Sequence, residues 1–251
     1  MSKPFLSVVI PSYDEMVNLQ KGVLYKVRDY LKDQKYTYEV IVVDDGSTDG
    51  SVEFMQEFIK KNPSFLVIEN NHLGKAGAVT KGVLEANGEI ILFTDMDQAT
   101  PIEELDKLLP CFEQGFDVVI GSRSNRRKNS PWTRILMARG MIVLRSFIVG
   151  LKGISDTQCG FKAFKKDAAK KIFTKINSMH NGFRQITGSA VTAGFDVELL
   201  CIASKMEYKI KEVPVNWFYV ESRRVSPVKD SIEGFVELVR IRMNIKKGKY
   251  D

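Results

Sequence analysis

Two acidic motifs in the first half of the sequence contain residues whose types and spacing could hold a cation. In the first, ILFTDMDQATP, Asp95 and Asp97 stand one residue apart after a run that is typical of a buried strand. Alternation along an extended chain places these two side chains on one side and points Met96 away. Two hard oxygen donors at that spacing can bind Mg²⁺ or Mn²⁺ and leave positions for the oxygens of a diphosphate. A D-x-D motif alone is common by chance, so its neighbours decide its weight.

The second motif, VVDDGSTDG at 42–50, has the same position relative to its own predicted strand. Asp44 and Asp45 follow an apolar run, and Ser47 or Asp49 can cap the helix that comes next. Turn formation explains the glycine but does not require two adjacent acids. A carboxylate at a strand end can also accept hydrogen bonds from a base edge or a ribose hydroxyl. The sequence lacks G-x-G-x-x-G after its first strand and lacks G-x-x-x-x-G-K-[ST], so nicotinamide-cofactor and P-loop interpretations are weak.

A basic group follows in the stretch NHLGKAGAVTKG at 71–82. Lys75 falls in the first turn of a helix that the chain enters through glycines. A helix N-terminus with a lysine suits an anionic ligand, and the alternative is a surface lysine beside flexible glycines. His72 and His180 have no third ligand and no nearby nucleophile, so we expect ordinary loop or core residues.

The elements that must position these groups alternate between β-branched runs and helical stretches. Strands are predicted at 6–11, 38–44, 65–70, 89–95 and 117–122. Helices are predicted at 16–34, 49–61, 75–87 and 103–114. Several of these strands are apolar on both faces, which favours a mostly parallel sheet covered by helices on each side. Ligands of such sheets bind beyond the carboxyl ends of the strands, where the polar motifs converge.

The second half is more basic and less regular. Residues 1–120 contain 11 Lys/Arg and 20 Asp/Glu, whereas residues 121–251 contain 26 and 11. The segment 131–154 is apolar nearly all round yet contains three arginines, a pattern typical of a helix at a bilayer surface. Further elements are a loop entering a strand at 156–164, a helix at 195–206, a strand at 208–218 and a basic amphipathic helix at 229–249. We find no repeat or linker and predict one α/β domain.

The composition excludes several classes of protein. No run of about 18 uncharged apolar residues exists, so we expect no membrane-spanning helix, and the N-terminus shows no cleavable signal. Three widely spaced cysteines fit a reducing compartment and argue against a disulfide frame or a zinc cluster. A pI near 9.1 makes a nucleic-acid-binding or anionic-lipid-binding module the non-enzyme alternative. The basic residues lie among aliphatic side chains rather than stacking aromatics, which disfavours nucleic acid.

The order of these motifs resembles that of the inverting family-2 glycosyltransferases with the GT-A fold. The first half carries VVIPSYDE, VIVVDDGSTD, GKAGAVTKG, DMDQATP and GSR in their order. The second half resembles the polyprenyl-phosphate sugar synthases through the motifs DTQCGFKAF, FDVELL, EVPVNW and RRVSPVKDS. Among these synthases the resemblance is greater to the dolichyl-phosphate glucosyltransferases than to the mannose synthases. The resemblance covers nearly the whole chain. It implies a Rossmann-like, mostly parallel α/β sheet with C-terminal amphipathic helices at the membrane interface. It also implies a single domain over 1–251, with the nucleotide sugar and metal in 1–120 and the acceptor in 121–251.

The same resemblance implies roles for individual residues. The nucleotide-sugar pocket would be lined by Pro11, Tyr13, Glu15, Val42, Asp44, Lys75, Asp95 and Met96. The diphosphate would be closed over by Arg223 or Arg224. Mg²⁺ or Mn²⁺ would be held by Asp95, Asp97 and Gln98. Mannose synthases more often have this glutamine one place later. The acceptor's phosphate would be received by Arg123, Arg134 and Arg139, which with Asp97 form the catalytic set.

The implied reaction is transfer of a hexose from a nucleotide diphosphate sugar, with UDP-glucose favoured, to a dolichyl or undecaprenyl phosphate. Such an acceptor is already anionic and needs no strong base. One alternative is a mannose synthase-like enzyme that uses GDP-mannose. Another is a transferase for hydroxyl acceptors with Asp196 or Glu198 as the base, although helix capping also explains these two acids. We expect a cytoplasmic protein, peripherally associated with the inner face of the membrane, without a nucleic-acid partner.

Overall fold

A seven-stranded sheet organises the chain. The computed structural model describes residues 3–123, 148–151, 153–185, 194–218 and 227–250. Within them the strands are β1 Leu6–Ser12, β2 Tyr38–Asp44, β3 Phe65–Glu69, β4 Ile90–Thr94, β5 Val118–Ser122, β6 Phe161–Lys165 and β7 Ile210–Pro214. They lie in the order β3-β2-β1-β4-β6-β5-β7. Neighbours are parallel except at β6, which runs antiparallel to both β4 and β5.

Helices cover both faces of this sheet. They are α1 Met16–Gln20, α2 Val23–Lys32, α3 Ser51–Lys60, α4 Gly74–Glu85, α5 Leu105–Glu113, α6 Lys166–Met179, α7 Phe195–Lys205 and α8 Pro227–Lys246. Alternate residues of a strand face opposite sides. On β1, therefore, Val8 and Ile10 pack in one buried cluster with α2 and α5, whereas Val9 packs in a second cluster with α4, α6 and α7. The predicted mostly parallel sheet between two helical layers is confirmed.

The first-half strands agree with their predicted bounds to within one residue, but one predicted helix is divided. The stretch 16–34 forms α1 and α2 because Gly22 adopts a φ of 77°, a left-handed conformation that an uninterrupted helix cannot contain. The break turns the chain so that α2 packs along the sheet. The turn at the start of α1 is thereby left beside the loop after β2.

The predicted surface helix at 131–154 lies mostly outside the described residues. Where it is described, it departs from the prediction. Gly150 and Gly153 have φ values of 79° and 77°, and the side chains of Leu151 and Ile154 are buried in the core. The C-terminal end of this segment therefore packs inside the protein and is not helical to residue 154. In the part of the chain that the structure covers, every helix is too short or too polar to cross a bilayer.

Candidate functional site

Asp44 ends β2 and holds the turn that follows it. Its carboxylate accepts hydrogen bonds from the backbone N–H groups of Gly46 and Ser47, both at 3.0 Å, and from the Ser47 hydroxyl at 2.6 Å. The N–H of Asp14 donates to the same Ser47 oxygen at 2.9 Å, which ties the turn to the loop after β1. Asp44 therefore has a turn-forming role, and its contact with a nucleotide remains a prediction.

The neighbouring acid, Asp45, shows why this loop needs two carboxylates. It is buried, and it accepts hydrogen bonds from the backbone N–H groups of Leu73 at 2.8 Å and Gly74 at 2.7 Å. These groups open α4, where N–H donors lack partners within the helix and a negative charge is favourable. The amide of Asn70 adds a third bond at 2.7 Å. Asp45 thus fixes the N-terminus of α4 and the position of Lys75 in its first turn.

An aromatic pair lies beside this turn. The rings of Tyr13 and His72 stack with their centroids 4.3 Å apart and their planes 24° apart. His72 Nδ1 lies 2.7 Å from the Asp45 carbonyl oxygen. The sequence interpretation expected His72 to be an ordinary loop or core residue because it has no third ligand and no nearby nucleophile, yet the fold brings it to the predicted pocket residue Tyr13. The pairing depends on the left-handed φ of 49° at His72, which no local motif indicated.

A cavity of about 470 Å³ opens at the carboxyl ends of β2 and β3. Its lining residues are Asp44, Gly46, Ser47, Thr48, Gly50, Val52, Glu53, Glu69 and Asn70. Because it shares Asp44 and Gly46 with the turn described above, it forms one margin of the same polar edge.

Lys75 and Asp95 form an ion pair at this edge. Lys75 Nζ lies 2.5 Å from Asp95 Oδ1, and both side chains are partly exposed. Burial lowers the pKa of Lys75, but the carboxylates of Asp95, Asp196 and Asp97 outweigh it and raise that pKa above its usual value. The fold therefore brings the two acids of the D-x-D motif together with a third acid from α7, around one ammonium group.

The rest of the D-x-D loop offers further oxygen atoms. Asp97 Oδ1 accepts the N–H of Ala99 at 2.9 Å, and burial, with repulsion from Asp95, raises the pKa of Asp97. Gln98 donates from Nε2 to the Asp95 carbonyl oxygen at 3.0 Å. Its Oε1 is buried and accepts no hydrogen bond among the described residues. Two carboxylates that repel each other, beside an orphaned amide oxygen, fit a hard divalent cation.

The protein alone does not complete such a coordination sphere in the described segments. No group of three or more His, Cys, Asp or Glu side chains there could hold a metal ion. An ion held by Asp95 and Asp97 would take further ligands from water or from the oxygens of a bound substrate.

Gly160 makes the position of Asp95 possible. A Cβ atom at this residue would lie 1.9 Å from Asp95 Oδ2, well inside any tolerable contact. Any larger residue would require the Asp95 carboxylate to move from this orientation. The sequence interpretation missed this residue because its partner lies on another strand.

Lys162, two residues on, is fully buried. Its Nζ donates to the Cys159 carbonyl oxygen and to Asp196 Oδ1, both at 2.5 Å, and lies 5.2 Å from the Phe93 ring centroid. A buried ammonium group needs such partners, because an unpaired charge in the core is strongly destabilising. The sequence interpretation also missed Lys162, although a lysine at an inward position of FKAF was a usable signal.

The two acids proposed as bases for a hydroxyl acceptor are both engaged. Asp196 pairs with Lys162. Glu198 is buried and bonds to His180 Nε2 at 2.8 Å and to the Tyr250 hydroxyl at 2.7 Å. Neither acid has the helix-capping role that the sequence suggested as the alternative.

Arg123 lies in a fixed orientation. Its Nε and Nη2 donate to the two oxygens of Asp156 at 2.7 and 2.9 Å, and the guanidinium carbon lies 5.7 Å from the Trp217 ring centroid. Glu212 in turn accepts the N–H of Asp156 at 2.7 Å. Burial lowers the pKa of Arg123, but Asp156 outweighs it and raises that pKa. Arg123 therefore receives its carboxylate partner from a later loop, which charge counting could not reveal.

Three predicted pocket residues are buried: Asp44, which holds the turn after β2, and the apolar Val42 and Met96. Val42 and Met96 belong to the core beneath the sheet edge. Any contact with a substrate at these two positions would have to use the backbone, and their part in the pocket stays a prediction. Pro11 and Glu15, by contrast, are partly exposed at and just beyond the end of β1.

Four predicted arginines lie outside the described residues, and their roles stay predictions: Arg134, Arg139, Arg223 and Arg224. Before the last two, the described chain reaches Phe218, whose N–H donates to the Ala99 carbonyl oxygen at 2.7 Å. Phe218 itself therefore lies beside the D-x-D loop.

The fold and this acidic edge define a glycosyltransferase of the GT-A type. The family model described as glycosyl transferase family 2 matches residues 7–173, and the chain belongs to that family. Within it, the chain is a homologue of the dolichyl-phosphate beta-glucosyltransferases. It is 32% identical to the one from Dictyostelium discoideum and 33% identical to the human one, with 97% of this chain and 76% of each relative covered. The Saccharomyces cerevisiae enzyme is 32% identical, with 98% and 76% covered.

Two solved structures share the fold. Mannosyl-3-phosphoglycerate synthase from Rubrobacter xylanophilus has a TM-score of 0.66 at 17% identity, covering 98% of this chain and 75% of its own. TarS 1–349 from S. aureus, in complex with UDP-GlcNAc, has a TM-score of 0.52 at 17% identity, covering 95% and 71%. At this level of identity the likeness concerns the architecture alone.

Proposed function

We propose that this enzyme transfers glucose from UDP-glucose, with inversion and with Mg²⁺ or Mn²⁺ bound, to a polyprenyl phosphate such as dolichyl or undecaprenyl phosphate. One observation carries the proposal. The chain aligns over 97% of its length with relatives whose names specify both glucose and dolichyl phosphate. The geometry of the acidic edge supports each part of the reaction.

On the donor side, the carboxylates of Asp95 and Asp97, with Gln98 Oε1, would hold the metal ion. When bound, that ion supplies positive charge that stabilises the departing diphosphate. Lys75 pairs with Asp95 at this edge. With Asp95 holding the ion, the ammonium group of Lys75 would be available to the diphosphate, on which negative charge develops as its bond to the sugar breaks.

On the acceptor side, the attacking oxygen belongs to a phosphate that is already ionised, so no side chain has to remove its proton. This agrees with the pairing of Asp196 with Lys162 and with the burial of Glu198, which leave neither acid placed as a base for a hydroxyl. Arg123 would receive the acceptor's phosphate, and its bidentate contact with Asp156 would fix the plane of the guanidinium group. The contacts of Asp196 and Glu198 argue against the alternative in which one of these acids serves as the base for a hydroxyl acceptor.

The lipid acceptor requires access to a membrane, and α8 offers a suitable surface. Four large apolar side chains on one face of this helix are between 39% and 58% exposed: Phe235, Val236, Val239 and Met243. Exposed Arg242 and Lys246 flank the same face at 100° per residue, while Leu238 and Ile241 pack into the core. We propose that this outer face of α8 lies in the headgroup region of the cytoplasmic leaflet, whose anionic lipids attract basic side chains.

A panel of nucleotide sugars tests the proposed reaction. Purified protein is incubated with UDP-glucose, UDP-GlcNAc or GDP-mannose, a short polyprenyl phosphate and Mg²⁺ or Mn²⁺, and lipid-linked sugar is measured. Glucosylated lipid from UDP-glucose alone supports the proposal. Product from GDP-mannose instead would make the enzyme mannose synthase-like, and no lipid-linked product with any donor would exclude both.

A further inference from the structure

The buried ion pair between Lys162 and Asp196 lies directly behind the D-x-D motif and has no assigned part in the reaction. Lys162 is on β6, in register with Phe93 of β4, two residues before Asp95. Its ammonium group is completely enclosed. An enclosed charge of this kind costs stability unless it is fully paired, so its presence calls for a reason other than packing.

A continuous set of contacts leads from this pair to the donor site. Asp196 Oδ1 accepts a hydrogen bond from Lys162 Nζ, which also donates to the Cys159 carbonyl oxygen. The next residue, Gly160, lies against the Asp95 carboxylate so closely that any Cβ there would overlap it. Asp95 in turn pairs with Lys75.

We infer that Lys162 is a positioning residue: its ammonium group, with Asp196 as counter-charge, clamps the Cys159–Gly160 turn against Asp95 and so fixes the carboxylate that meets the metal ion and the sugar donor. The inference rests on the proposed function, which it deepens. It gives Asp196 a different role from that of a general base. Accepting a proton at Asp196 would remove the counter-charge of a buried ammonium group.

The clamp is tested with a double variant, because removing one member of a buried ion pair destabilises a protein whereas replacing both is often tolerated. Lys162→Met with Asp196→Asn removes both charges. Lys165→Met is the matched control, since Lys165 is on the same strand but forms a partly exposed pair with Asp117. Thermal unfolding, the binding of UDP in the presence of MnCl₂, and the pH dependence of glucose transfer are measured for each.

The clamp predicts that the double variant unfolds within a few degrees of the wild type but binds UDP with Mn²⁺ about tenfold more weakly, a coupling of the size found between contacting residues. Its pH profile should keep its shape, and Lys165→Met should bind normally. Wild-type binding by the double variant would overturn the inference, because the pair would then be only structural. Loss of a limb of the pH profile would also overturn it, in favour of Asp196 as a base.

A second double variant tests the same inference if the first one does not fold. Lys162→Gln with Asp196→Asn keeps hydrogen-bonding amides in the buried site, but its shorter side chain at 162 cannot reach as the lysine does. The same weakening of UDP binding is expected, and normal binding would again overturn the inference. A wild-type protein that transfers glucose to no acceptor would contradict the proposed function while leaving the binding comparison intact.

Discussion

The acids at the carboxyl edge of the sheet differ in their partners, and the partners indicate which of them are available to a ligand. Asp44 holds a turn, and Asp45 holds the start of α4. Asp95 forms a partly exposed pair with Lys75, and Asp97 accepts a single backbone N–H. Of these four acids, which look alike in the sequence, Asp44 and Asp45 therefore have structural roles, whereas Asp95 and Asp97 are candidate metal ligands.

A pair of alanine substitutions tests this division. Asp97→Ala should reduce glucose transfer by at least about 100-fold, the scale of losing a charge-stabilising group, with little change in thermal stability. Asp45→Ala should instead lower the free energy of unfolding by about 2–3 kcal/mol, because the N–H groups of Leu73 and Gly74 lose a buried acceptor. Steady-state assays and thermal unfolding check both. Normal turnover by Asp97→Ala, or unchanged stability of Asp45→Ala, would contradict the division.

Gly160→Ala tests the space beside Asp95. The added methyl group overlaps the carboxylate, so donor binding should weaken about tenfold or more while the fold is retained. Gly234→Ala on α8 is the control, because a Cβ there meets no atom within 4 Å. The apparent KM for UDP-glucose measures the effect. Equal kinetics for the two variants would show that Asp95 does not need its present position.

Much of this edge could be predicted from the sequence, because strand ends and acidic motifs are local patterns. The D-x-D loop and Lys75 were identified in that way, whereas Arg123 was implied by the resemblance to the family. The partners could not be, since Gly160, Lys162 and Asp156 reach the edge through strand pairing and loop closure. A sequence shows where the lysines and the adjacent acids stand along the chain, but the fold decides which lysine forms an ion pair with which acid.

At the scale of elements, α7 links the acidic edge to the C-terminal helix. Its first turn carries Asp196 on one side and Glu198 on the other. Glu198 binds both His180 and the buried Tyr250, which lies four residues beyond the end of α8. The helix bounds here were predicted well from periodicity, but this connection was not, because Tyr250 lies 52 residues from its partner.

The connection predicts a pH-dependent contribution to stability. Burial raises the pKa of Glu198, but hydrogen bonds from His180 and Tyr250 outweigh it and lower that pKa below 4.5. A carboxyl group with a lowered folded-state pKa stabilises the protein above its unfolded value and loses that contribution as the pH falls through the folded value. Glu198→Gln should therefore lower the melting temperature at pH 7 by about 5 °C, and the difference from the wild type should narrow below about pH 4.5.

Melting curves between pH 3 and pH 8 measure this dependence. Glu113→Gln is the control, because Glu113 is exposed at the end of α5 and should show no such difference. A difference for Glu198→Gln that stays constant across the whole range would contradict the role of its ionised form.

At the scale of the whole molecule, the charge is divided between an acidic first half and a basic second half. The acidic edge suits a cation with a nucleotide sugar, and the basic half includes α8 with its exposed apolar face. The sequence predicted a basic amphipathic helix in this region, and the structure adds which of its faces packs on the core. The predicted bilayer surface at 131–154 lies mostly outside the described residues, and the described end of that segment is buried in the core.

Substitutions on exposed apolar residues test the membrane surface. Met243→Glu introduces a negative charge on the outer face of α8 and should weaken binding to anionic phospholipid vesicles about tenfold at low salt. Val17→Glu makes the same change in charge on α1, in the acidic half, and should have little effect. Co-sedimentation with vesicles measures both. Equal losses for the two variants, or binding that does not fall with ionic strength, would contradict a specific basic surface.

The choice of acceptor is the most direct test of the whole proposal. Wild-type enzyme is given UDP-glucose, Mg²⁺ and either dolichyl phosphate or dolichol, two lipids that differ only in the phosphate group, and glucose in the lipid fraction is measured. A site that receives an ionised phosphate and places no base beside it should form glucosylated lipid with dolichyl phosphate and none with dolichol. Glucosylation of dolichol at a comparable rate would contradict it.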